Sequence, residues 1–232
     1  MTQLLAIDSL LKKYDSGFVF GPSSWSVNAT SVAVFGKNGS GKSTFFQLLT
    51  GNLDRTSGCV WIEGNKMSPD AVDLKRQVGY LPQESHLPDW VTPNEVLTWC
   101  AKLHGVAEEA KEHQLQLWDI SGYKHRPLAL CSHGMRKRVG LAAASMHRPK
   151  VLVLDEAFNA LDIIHTKTLE QLIRQRTSSN LLTLVSTHSP IMAADLCERA
   201  ILITAGRLEE LLEWPSLSVL ERKELIDRKF FS

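Results

Sequence analysis

Short apolar runs of strand length alternate along this chain with stretches spaced as helices. Ser31-Val-Ala-Val-Phe35 is apolar and β-branched and leads into a glycine-rich turn, after which Ser43–Thr50 reads as a helix. Val151–Leu154, Leu181–Val185 and Ala200–Thr204 are further runs of the same kind. Their apolar residues fall on consecutive rather than alternate positions. That pattern suits parallel strands buried on both faces, with helices such as Thr166–Arg176 as crossovers. Strands and helices in this alternation predict an α/β layered fold.

Between Glu84 and Arg148 the texture changes. Thr92-Pro93-Asn94-Glu95 combines a capping threonine, proline at the first helical position and glutamate three after the cap, the signature of a helix start. From there to His147 the spacing is helical and no strand is evident, so a helical insertion into the α/β core is expected. The first 64 residues, apart from the glycine-rich turn and its helix, mix alternating runs with turn residues. Gly58-Cys-Val-Trp-Ile-Glu-Gly64 is one such run, suited to antiparallel strands leaning on the core. In the last stretch, Trp214 to Ser232, Ser218 stands three before Glu221 ahead of an amphipathic pattern, which predicts a short terminal helix. No internal repeat or low-complexity tract interrupts this order.

Composition narrows the classes. The chain has 232 residues, 44% hydrophobic and 22% charged, enough to bury a core without a disulfide or metal staple. Lys plus Arg is 26 against 25 for Asp plus Glu, and a net charge of +1 speaks against a nucleic-acid-coating protein. The four cysteines lie far apart with no CxxC pair, so free thiols of a reducing compartment are expected rather than a zinc site. No apolar run approaches the roughly 20 residues of a membrane span, and the start lacks the features of a secretory signal. Composition alone thus leads to the expectation of a soluble, intracellular, single-domain protein.

Chemistry enters at Gly36-Lys-Asn-Gly-Ser-Gly-Lys-Ser43, which fits the GxxxxGK(S/T) phosphate loop in every defined position. The glycines let backbone N–H groups curl around phosphate oxygens, and the following helix points its positive end at the same anion. Gly36, Asn38, Gly39, Ser40, Gly41, Lys42, Ser43 and Thr44 are therefore candidate ATP-binding residues. Lys42 is expected to reach the β and γ phosphates, and the Ser43 hydroxyl to bind Mg2+. Downstream, Val151–Leu154 ends in Asp155 and Glu156. Asp155 suits a Mg2+-holding role and Glu156 that of a general base polarising the attacking water.

Taken in order, these and several further motifs resemble the ATP-binding subunit of an ABC (ATP-binding cassette) transporter over about residues 1–210. Gly79-Tyr-Leu-Pro-Gln83 resembles the Q-loop, Cys131-Ser-His-Gly-Met135 stands in the place of the LSGGQ signature, Asn159–Asp162 resembles the D-loop, and Ser186-Thr-His188 ends where the family keeps its switch histidine. The resemblance implies a P-loop NTPase (RecA-like) parallel-sheet core with an N-terminal antiparallel β subdomain. It also implies an inserted helical subdomain at about 85–147, leaving 211–232 as a helical C-terminal tail. It implies that Gln83 binds Mg2+ and senses the membrane subunit, that His188 contacts the γ phosphate, and that Tyr14 stacks on adenine. A tyrosine merely facing out of an amphipathic strand is the competing reading of Tyr14. Ser132 and Gly134 would cap ATP held by a second subunit, so a homodimer or paired ATPase subunit is implied. Integral membrane permease subunits are implied too, with the chain cytoplasmic, peripheral on the cytosolic face of a membrane.

Departures from the pattern are specific. Cys131, His133 and Met135 replace the usual Leu, Gly and Gln, and Ala157 replaces the proline that commonly follows the catalytic glutamate, which would loosen that turn. His133 is either a pH-sensitive group near phosphate or a solvated surface residue. Gly134-Met-Arg-Lys-Arg138 is similar to signatures of the ABC-2-like branch, which leans toward export. Trp90 and Trp99 are either anchors for the permease or packing residues of the insertion. A soluble ABC ATPase of translation or DNA maintenance is the alternative function, although neither a second cassette nor a long coiled-coil insertion is present. A nucleotide-binding scaffold without catalysis is a third, opposed by Lys42, Asp155, Glu156 and His188 together.

Overall fold

The computed structural model describes residues 3–68, 70–84, 87–187 and 189–231. In chain order the N-terminal part runs β1 (Leu5–Lys13), β2 (Val19–Val27), β3 (Ser31–Phe35), α1 (Lys42–Leu49), β4 (Ser57–Ile62), β5 (Asn65–Lys66), α2 (Val72–Lys75) and β6 (Val78–Leu81). The helical stretch follows as α3 (Pro93–His104), α4 (Glu108–Leu117) and α5 (His133–Ser145). The chain then continues through β7 (Val151–Leu154), α6 (Ile163–Ser178), β8 (Leu182–Ser186), α7 (Pro190–Leu196), β9 (Arg199–Thr204), β10 (Arg207–Glu210) and α8 (Val219–Phe231). Two sheets organise these elements. One is antiparallel, in the order β2-β1-β4-β5, and the other has six strands in the order β10-β9-β3-β8-β7-β6. In the second, neighbours from β9 to β6 are parallel and β10 closes one edge antiparallel.

Consecutive apolar residues in the parallel strands serve two cores. Val32, Val34, Val151, Val153, Leu182 and Leu184 point into the layer shared with α1 and the antiparallel sheet. Ala33, Phe35, Leu152, Leu154 and Val185 point to the opposite layer, beneath the helices. Each fully buried side chain of this kind contributes roughly 1.5–3 kcal/mol, so a strand buried on both faces is strongly held. The α/β parallel-sheet class expected from the pattern is the class observed.

Strand β6 is the element the pattern misses. Its Val-Gly-Tyr-Leu sequence lacks a continuous apolar run, because it is an edge strand with Val78 and Tyr80 only half-buried. In the stretch from 84 to 148 the described residues form helices and no strand. Thr92 caps α3 by accepting from the Glu95 amide while the Glu95 carboxylate accepts from the Thr92 amide, a reciprocal pair worth about 1 kcal/mol. α5 lies against both α3 and β6, so it belongs to the insertion and to the sheet layer at once.

The tail is helical, as α8, and it joins the main core. Trp214 is fully buried with its ring 5.7 Å from that of Phe35, and its indole N–H donates to the Cys197 carbonyl. Arg222 of α8 donates to the carbonyls of Ala194 and Cys197 at the end of α7.

At the foot of the insertion, His104 ends α3 and His147 follows α5, their rings stacked 3.8 Å apart. Burial, reinforced by His104 and by Arg176, pushes the His147 imidazole down to about 4, and burial with nearby Arg76 lowers His104 as well. The folded state therefore holds His147 neutral while the unfolded chain takes up its proton near 6.5. Stability in urea should be fully present above about pH 6.5 and decline as pH falls toward 4. His147→Phe should flatten that acid limb; an unchanged limb would assign it to other groups.

Candidate active site

The site is built where β3 gives way to α1. Gly41 caps α1 with φ 111°, a left-handed conformation that side-chain-bearing residues avoid, and this turns the loop back onto the helix start. Phe45, Phe46, Leu48 and Leu49 bury one side of α1, so its N-terminus is aimed by the core. The Lys42 ammonium donates to the Gly36 carbonyl at 2.7 Å, inside the loop. Tyr14, residues 37–44 and Gln83 line one cavity of about 480 Å3, in the size range of ligand clefts. Tyr14 stands just beyond β1, its hydroxyl 3.2 Å from Thr44 Oγ1, so the ring faces the phosphate loop rather than projecting from a strand.

A chain of short hydrogen bonds joins α1 to the ends of β7 and β8 behind this cavity. The Ser43 hydroxyl donates to Asp155 Oδ2 at 2.7 Å, and the Ser186 hydroxyl donates to Asp155 Oδ1 at 2.6 Å. Ser186 Oγ also accepts the Glu156 amide at 2.9 Å. Asp155 and Glu156 are almost fully buried, and carboxylates so placed need hydrogen bonds and countercharge. Glu156 adopts φ 50°, a strained value for glutamate and of the kind that clusters at functional sites. Its turn is held by Ser186 and by the Asn159 amide, which donates to the Glu156 carbonyl at 3.2 Å. Ala157, which follows Glu156, is buried.

The residues present fit Mg2+. The Ser43 hydroxyl and the Asp155 carboxylate are in contact, Gln83 opens on the same cavity, and all three offer hard oxygens. Among the described residues no group of three or more His, Cys, Asp or Glu could hold a metal ion. Protein ligands this few suit an ion that completes its shell with phosphate oxygens and water.

Ser132 and Gly134 are placed elsewhere. Ser132 is the N-cap of α5, its hydroxyl accepting the Met135 amide. Gly134 lies in the first turn against the D-loop: a Cβ there would come within 2.7 Å of the Ala160 carbonyl oxygen. Neither residue lines the cavity of Tyr14 and the phosphate loop. His133 is exposed in a separate cleft of about 310 Å3 with Gln83, Arg136 and Lys137. Trp90 and Trp99 are 72% and 49% exposed, which leaves little for a packing role. His188 lies outside the described residues.

Sequence reasoning missed two site residues. Ser186 was readable only as the polar end of an apolar strand. Lys137 sits in an Arg-Lys-Arg run that reads as a solvated face, yet it is 5% exposed and its ammonium donates to the Gln83 carbonyl at 3.0 Å. Burial lowers its pKa, opposed by the carboxylates of Asp155 and Glu156. Alternation with the half-buried Arg136 and Arg138 hides it.

Comparison with known proteins places this arrangement among relatives. The family model described as ABC transporter matches residues 22–159. An uncharacterised ABC transporter ATP-binding protein of Bacillus subtilis, YxlF, is 33% identical over 88% of this chain and 69% of its own length. The lipopolysaccharide export system ATP-binding protein LptB of Haemophilus influenzae is 29% identical over 88% of both. A solved structure titled as the ATP-binding subunit of an ABC transporter superposes with a TM-score of 0.83 at 23% identity, covering 97% of this chain and 99% of that one, a likeness of fold.

Ser186→Ala should leave nucleotide affinity within about twofold and lower kcat about tenfold, since it frees both carboxylate residues from one hydroxyl. Steady-state kinetics with separate nucleotide titration check this; equal turnover would remove Ser186 from the site.

Proposed function

Because the chain belongs to the ABC transporter family, as an ATP-binding subunit that hydrolyses ATP to power transport, we propose a specific division of labour among its residues. ATP lies with its base on Tyr14 and its phosphates in the loop from Gly36 to Thr44. Lys42 leaves the loop carbonyls for the β and γ phosphate oxygens. Mg2+, held by Ser43, Asp155 and Gln83, supplies neutralisation of phosphate charge when bound. Glu156 accepts a proton from the attacking water as the new P–O bond forms and the bond to ADP breaks. His188 contacts the γ phosphate. The observation that carries this reading is the hydrogen-bonded series Ser43–Asp155–Ser186–Glu156, which ties the phosphate loop to the general base.

Ser132 and Gly134 serve a second subunit, a copy of this chain or a paired ATPase. The N-terminus of α5 lies away from the chain's own phosphate cavity, which supports that assignment. Closure of two such chains on ATP and reopening after hydrolysis drive separate membrane permease subunits, with the chain peripheral on the cytosolic face. Among the described residues no helix is long and apolar enough to cross a membrane. The exposed Trp90, beyond the Q-loop, is the apolar anchor for them. Export of the ABC-2-like kind is the direction favoured by Gly134-Met-Arg-Lys-Arg138. Membership of the family favours transport over a role in translation or DNA maintenance.

Lys42→Ala should abolish ATP binding in a titration, and retained affinity would overturn the phosphate-loop assignment. Glu156→Gln should bind ATP normally, lose about a hundredfold or more in turnover, and run as an ATP-dependent dimer on gel filtration. Turnover at the normal rate would exclude Glu156 as the base.

A further inference from the structure

Gln83 is held by its main chain at a point where a loop would ordinarily be free. The Leu81 carbonyl, at the end of β6, accepts from the Asp155 amide at 2.9 Å, which pins the start of the Q-loop to the strand carrying the carboxylates. Two residues on, the Gln83 carbonyl accepts from the Lys137 ammonium at 3.0 Å. Lys137 belongs to α5, the helix whose N-cap is Ser132 and whose first turn holds Gly134. One end of the segment 81–83 is therefore fixed to the sheet and the other to α5. Gln83 itself lines both the nucleotide cavity and the cleft on the α5 side.

The identity of the side chain at 137 matters. At 5% exposure an apolar residue would pack as well and avoid desolvating an ammonium. The buried charge is stabilised by a main-chain carbonyl with no other hydrogen bond described to it, and by the two carboxylates beyond. A charge-assisted bond of this type is directional and roughly twice as strong as a neutral one, so it transmits displacement rather than merely filling space.

We propose that Lys137 is a positioning residue, a tether through which the signature helix α5 sets the place of Gln83 in the nucleotide cavity of the same chain. Resting on the function proposed above, this gives α5 two tasks. Its N-terminus meets ATP on the second subunit, and its Lys137 carries the resulting shift to Gln83. The two nucleotide sites of a dimer are then joined through one buried hydrogen bond in each chain.

Hydrogen exchange of the full-length chain tests the tether directly. Lys137→Met should speed exchange at the Gln83 and Glu84 amides about fivefold, as expected for one lost hydrogen bond, and Lys137→Arg should restore protection. Lys137→Gln, with a shorter arm, is the second loss variant should the methionine chain not fold. In ATPase assays Lys137→Met should raise the Mg2+ concentration for half-maximal rate about fivefold while KM for ATP stays within about twofold. In a Gln83→Ala background it should add nothing further. Unchanged exchange, or effects of Lys137→Met and Gln83→Ala that multiply, would overturn the tether. In the Glu156→Gln chain, ATP should increase protection at the Gln83 and Glu84 amides, and Lys137→Met should remove that increase while the dimer still forms. Persistence of the increase would overturn the link between sites. Failure of Glu156→Gln to dimerise would instead count against the proposed function, and the exchange in the absence of ATP would still decide the tether.

Discussion

A carboxylate buried at the end of a parallel strand is stable only where the surrounding chain brings donors to it, and Asp155 is the residue on which this molecule turns. Its two oxygens accept from Ser43 at the start of α1 and from Ser186 at the end of β8, while its amide donates to Leu81 at the end of β6. One side chain and its amide thus gather the phosphate loop, the neighbouring strand and the Q-loop. The order of strands in the sheet follows the same need, because β7 must lie between β6 and β8 for all three contacts to form. Hydroxyls rather than cations face both oxygens, which leaves the carboxylate available to a metal.

Much of this was legible from residue order. The runs at 31–35, 151–154 and 181–185 showed their burial on both faces because each alternate residue feeds a different core. The glycines and Lys42 of the phosphate loop, and Asp155 with Glu156 after an apolar run, could be picked out as candidates from residue type and spacing, and Ser43 of that loop meets Asp155 in the fold. What stayed hidden depends on contacts distant in sequence. β6 is an edge strand whose half-buried residues leave no strong pattern. Ser186 acts only because β8 lies beside β7. Lys137 looks solvated until α5 is laid against the sheet. Such residues are defined by what lies across from them, and spacing along one segment carries no trace of that.

The helical stretch is likewise less separate than its composition implies. α3 and α4 have little to do with the parallel sheet, but α5 rests on β6 and presses Gly134 against the D-loop at Ala160. Arg138 of the same helix donates to His165, whose other ring nitrogen meets Asp162. Because Arg138 can only donate, His165 Nε2 accepts and its Nδ1 carries the proton toward Asp162. α5 and the segment from Ala160 to His165 are therefore joined by polar as well as steric contact.

Trp214 adds a consequence of another kind. Its ring packs on Phe35, the residue immediately before Gly36, and its indole is fastened to the loop that ends α7. The last segment of the chain and the phosphate loop are thereby joined through one buried aromatic pair. Partial melting that released α8 from one edge of the molecule would loosen the nucleotide loop on the other side of Phe35 in the same event. The chain end thus bears, through one aromatic contact, on the stability of the phosphate loop.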